Sequence, residues 1–79
     1  MTPMELDSIR RVVAIVLDID QDEDYLLAET AERHQLVVLR RAFEGDWSGV
    51  RSGDSVELLI SGGRLARVLR ARQLSVPPS

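Results

Sequence analysis

Aliphatic and β-branched residues recur along this chain in short runs, separated by polar or glycine-bearing turns. That is the pattern of strands rather than of long helices. Residues 9–19 read I-R-R-V-V-A-I-V-L-D-I, with Val13, Ile15, Leu17 and Ile19 on one face and Val12, Ala14 and Val16 on the other. Apolar residues on both faces predict a central strand covered on both sides for part of its length. Gln21-Asp22-Glu23-Asp24 supplies a polar turn. Residues 25–31 form a second strand, although Ala28, Glu29 and Ala31 also suit a helix. Glu32-Arg33-His34 makes the next turn, and residues 35–43 (Q-L-V-V-L-R-R-A-F) are the third strand.

Residues 44–54 contain Gly45, Gly49 and Gly53, hold no sustained period and allow one helical turn at most. Trp47 in this stretch reads as a lid over an open end of the core. Residues 55–60 form the fourth strand, with Val56, Leu58 and Ile60 on one face. Ser61-Gly62-Gly63 then signals a tight hairpin. Residues 64–74 carry a helical stripe (Leu65, Val68, Leu69, Arg72) and also a strand face (Leu65, Leu69, Ala71); the glycine hairpin before them favours a strand. The core is expected to contain Val13, Ile15, Leu17, Leu27, Val38, Val56, Leu58 and Leu69. These elements predict an all-β fold, a small five-stranded barrel with a short glycine-rich connection before strand four. Residues 1–8 form an N-terminal extension, 9–74 the barrel and 75–79 a flexible tail ending in Val76-Pro77-Pro78-Ser79. A barrel also removes sheet edges that so short a chain has no helices to cover.

Three segments carry a family resemblance. Ala14-Ile15-Val16-Leu17-Asp18 stands where the family has a G-T-V-L/K opening strand. Val50-Arg51-Ser52-Gly53-Asp54-Ser55-Val56-Glu57-Leu58 is similar to an L-x-x-G-D-x-V-x-V/F entry to strand four, and Gly63-Arg64-Leu65-Ala66-Arg67-Val68 to a G-R-I-V closing strand. The run from residue 14 to residue 72 thus resembles an oligonucleotide-binding (OB) fold, in the branch of bacterial translation initiation factor one and the cold-shock domains. Alanine replaces the opening glycine, and the phenylalanine-rich stacking motif of cold-shock domains is absent. The resemblance implies binding of single strands on a face built from strands two and three, with aromatic platforms and a positive groove.

Composition bounds what that face can do. Seventy-nine residues allow one domain with one small core. The absence of cysteine excludes disulfides, thiolate metal sites and a cysteine nucleophile, and a single histidine excludes histidine-pair sites. No apolar run reaches the length of a membrane span and no signal-peptide core is visible, so a cytoplasmic protein of a bacterium-like cell is expected. Net charge is −3, yet all ten basic residues are arginine. Between residues 18 and 32 the acids Asp18, Asp20, Asp22, Glu23, Asp24, Glu29 and Glu32 precede any base. Between residues 64 and 72 there are four arginines and no acid. Such asymmetry either steers a charged partner or is neutralised when the segments meet in space.

Arginine forks bind phosphates and stack on bases, which makes Tyr25 on strand two, Arg40 and Arg41 on strand three, and Arg64, Arg67, Arg70 and Arg72 on the last segment the candidate nucleic-acid-binding residues. A strand should keep clear of the acidic turn and lie nearer Arg40, Arg41, Arg67 and Arg70. Asp18, Asp20, Asp22 and Glu29 match calcium-loop positions, but Glu23 stands where the loop needs glycine and the flanks are strands, so no metal is expected. The serines, Ser8, Ser48, Ser52, Ser55 and Ser61, have no base nearby except a distant His34, and Gly62-Gly63 lacks the lysine and helix of a phosphate loop. No catalytic residues and no cofactor are therefore expected. The expected function is a small non-catalytic module binding RNA or single-stranded DNA. The alternative is a protein-interaction domain or a small homo-oligomeric subunit, with another protein or a second copy of the chain as partner and no nucleic-acid binding.

Overall fold

The computed structural model describes residues 9–62 and 66–74. They form an all-β unit in which six strands make one sheet: β1 (Ile9–Asp20), β2 (Tyr25–Thr30), β3 (Gln35–Leu39), β4 (Phe43–Glu44), β5 (Ser55–Ser61) and β6 (Arg67–Gln73). The count exceeds the predicted five because a 3-10 turn at Arg40–Ala42 breaks the expected third strand. The segment left open between helix and strand is a strand, β6, paired antiparallel with β5. The hairpin tip at Gly63, together with Arg64, Leu65 and both termini, lies outside the described residues. No helix among the described residues is long and apolar enough to cross a membrane.

The sheet order is β3-β2-β1-β5-β6-β4. β3 and β4 stand at its two ends although only the 3-10 turn separates them in sequence, so the chain itself draws the sheet round into a partly open barrel. Phe43 and Glu44 complete the ring by pairing in parallel with Ala71 and Arg72. β1 serves two neighbours: residues 9–15 pair with β5 and residues 14–20 with β2. A bulge at Leu17 bends the strand between these duties.

Two turns show why the local sequence folds as it does. Asp20 Oδ1 accepts the backbone N–H groups of Asp22 (3.0 Å) and Glu23 (2.9 Å), and Asp24 then adopts a positive φ of 60°, which Asp tolerates. Before β5, Gly53 has φ 95° and its N–H donates to Val16 O at 2.8 Å. Asp54 Oδ2 accepts Arg51 N–H (2.9 Å) and the Gln73 side-chain amide (2.7 Å). The Gly-Asp pair is therefore a structural clasp joining β1, β5 and β6.

The core holds Ala14, Val16, Leu26, Ala28, Val38, Phe43, Trp47, Val50, Val56, Leu58, Ile60 and Ala71. Of the expected core, Val38, Val56 and Leu58 are buried, while Val13 (53% exposed), Ile15 (42%), Leu17 (39%) and Leu69 (39%) are not. Leu27 is half-buried on the outer side, because its neighbours Leu26 and Ala28 point inward. For β1 the register decides. Val12 and Ala14 lie opposite Leu58 and Val56, and opposed residues share a face. The narrow lumen takes the smaller row, Ala14 and Val16, and leaves the larger one outside. Leu69 is turned out by a second bulge, since Leu59 pairs with Arg70 and the next residue, Ile60, with Val68. Trp47 is buried in the core, on a 3-10 turn at Trp47–Gly49, with its ring edge-on to Phe43 at 5.6 Å and 73°.

Candidate nucleic-acid interface

Where β3 and β6 face each other without a continuous ladder, the barrel wall opens into a groove of about 740 Å³. Its lining combines Arg41 and Arg67 with apolar Val37, Leu39, Val68 and Leu69, and no carboxylate is among the described residues that line it. Alternation along β3 produces this surface: Val38 points into the core, so Val37 and Leu39 point out. The bulge that expels Leu69 adds a third exposed aliphatic side chain from β6.

The remaining candidate arginines occupy different settings. Arg40 and Arg41 stand on the 3-10 turn, not on strand three, because the chain must bend there to reach β4. Arg40 Nη1 lies 3.3 Å from Asp24 Oδ1, and its backbone N–H donates to Asp24 O at 2.9 Å. It therefore belongs to the acidic turn that a nucleic acid was expected to avoid. Arg70 Nη1 sits 3.2 Å from Glu44 Oε2, and Arg72 Nη2 sits 2.9 Å from Glu57 Oε1. Both line a smaller depression of about 190 Å³ that also includes Arg11. There, two glutamates stand against three arginines, and Arg70 and Arg72 each have an acid partner. Arg41 and Arg67 make no ion pair among the described residues. Tyr25 is half-buried on the outer face opposite Leu39 and does not line the groove. Arg64 lies outside the described residues.

The structure thus brings Arg41 and Arg67 together in the groove and leaves Arg70 and Arg72 out of its lining, while Arg40, next to Arg41 on the same turn, shares with it a neighbouring depression that includes Glu23 and Asp24. Sequence reading missed Val37, Leu39 and Leu69 as surface residues. The alternation in Q-L-V-V-L carried the signal for the first two; the bulge behind the third leaves no mark in the sequence. No group of three or more metal-ligating side chains occurs among the described residues, and Asp20 spends one carboxylate oxygen on the turn itself. His34 stands exposed at the β2–β3 turn, 3.8 Å from Glu32. No protein-family model matches the chain, and a search of the curated proteins found no match.

Proposed function

We propose that this chain is a small non-catalytic binding module that holds single-stranded nucleic acid, RNA or DNA, in the groove between β3 and β6. The observation that carries the reading is a lining that, among the described residues, holds no carboxylate and two arginines without an ion pair beside exposed aliphatic residues. Guanidinium groups bind phosphates, and the aliphatic floor accepts base faces that water would otherwise solvate. The connectivity supports the resemblance to the OB fold. A first strand shared by two neighbours and a short parallel pairing of β4 with β6 suit a small, partly open barrel of this kind, here with six strands. A cytoplasmic setting goes with this reading.

The test is a heteronuclear NMR titration with short single-stranded oligonucleotides at low salt. Amide shifts should concentrate at Val37, Leu39, Arg41, Arg67 and Leu69. With two phosphates contacted, the affinity should fall with salt with a log–log slope of about −1.4, and R41Q or R67Q should each flatten it by about 0.7. Y25A should leave affinity unchanged. Absence of binding at low salt, or shifts centred on residues 18–24, rejects the reading. In that event the edge of β3, unpaired among the described residues, favours the alternative, docking of an extended protein segment.

A further inference from the structure

The sequence pattern calls for β1 to be covered on both faces, and among the described residues only the inner face is covered. Val13, Ile15 and Leu17 stand exposed in a row; Val13 lies beside Glu57 and Ile15 beside Ser55 and Glu29, while half-buried Leu59 of β5 and Leu27 of β2 lie beside the ends of the row. The row has a charge at each end: Arg11 on one side, Asp18 and Asp20 on the other. The register places all three outward, since Arg11 lies opposite outward Leu59, Asp18 opposite outward Leu27 and Asp20 opposite Tyr25.

We propose that this face is a homodimer interface, occupied by a second copy of the chain with the two β1 strands antiparallel. A two-fold axis lying between the sheets and crossing β1 at Ile15 makes the surface self-complementary. Ile15 then meets Ile15 of the other copy, and Val13 meets Leu17. Arg11 stands four residues from the axis, about 13 Å at strand rise. Asp18 and Asp20 of the other copy stand at three and five residues on the matching side, so both ends of the strip bring base against acid. Aligned packing of two sheets about 10 Å apart accommodates this contact. Glu29, opposite Ile15 on β2, is the charge nearest the axis and meets its own copy there, so it opposes association. The proposal is independent of the nucleic-acid reading, because Arg41 and Arg67 lie in the groove beyond β3.

Sedimentation equilibrium tests the proposal, with circular dichroism to confirm folding of each variant. Wild type should be a dimer that loosens as salt rises. I15R should be a folded monomer whose oligonucleotide titration still reports on the groove separately. R11E and D18R should each weaken the dimer at least tenfold, because each variant meets like charge across the axis. An equimolar mixture of R11E and D18R should restore dimers, since both contacts then join opposite charges. E29Q should tighten the wild-type dimer several-fold. A wild type that stays monomeric at millimolar concentration overturns the proposal. So does a dimer indifferent to I15R, a mixture that remains monomeric, or an E29Q variant that associates more weakly.

Discussion

The inner and outer faces of β1 are built from nearly the same residue types and meet different fates. Val12, Ala14 and Val16 pack into the barrel, whereas Val13, Ile15 and Leu17, the bulkier set, stand in solvent. Hydrophobicity therefore did not choose the buried face. The choice came from the volume of the lumen, which already has to hold Leu26, Leu58, Phe43 and Trp47, and from a pairing register that a shift of one residue would invert. In this thin barrel β1 buries its smaller side chains and leaves the larger ones exposed.

Substitutions ranked by size can break or sharpen that contrast. The largest effect should come from the inner side. Leu58→Ala, opposite Val12, should lower stability by about 2–5 kcal/mol in urea denaturation, with an unchanged slope. A cost below 1 kcal/mol (about the median for any substitution) would put the core elsewhere. Next comes the clasp that holds the inner row in place. Gly53→Ala, at φ 95°, should cost about 1–2 kcal/mol in the same assay, while a neutral result would show that the loop relaxes without loss. Arg72→Gln removes the pair with Glu57, a residue on the outer face beside Val13. With the guanidinium mostly exposed the cost should be about 0.2–1 kcal/mol and should shrink in high salt. Smallest is Ile15→Thr, which should change the stability of the dilute monomer by less than about 0.5 kcal/mol. A cost comparable to that of Leu58→Ala would mean that the two faces are alike after all.

The strands were legible in the sequence because β-branched runs and glycine or aspartate turns are local signals, and the hairpin before β6 correctly outweighed its helical stripe. The parity of β1 was not legible. Period two defines two rows without saying which is inside, and the larger side chains of Val13, Ile15 and Leu17 pointed to the wrong one. Bulges at Leu17 and Leu69 are set by partner strands, so the sequence carries no local mark of them. The basic segment was legible as composition only. Arg70 and Arg72 are matched by Glu44 and Glu57, acids from outside the acidic segment, through pairings that only the register reveals.

Trp47 carries a consequence for spectroscopy. It is the chain's single tryptophan, it is packed against Phe43 beside the pairing that completes the ring, and its Nε1 has no hydrogen-bond partner among the described residues. A buried indole without a polar partner emits at short wavelength, and exposure to water shifts that emission to the red. The protein therefore contains its own optical gauge of how the core packs around Phe43. A change in binding or association that leaves the emission fixed has left the barrel intact.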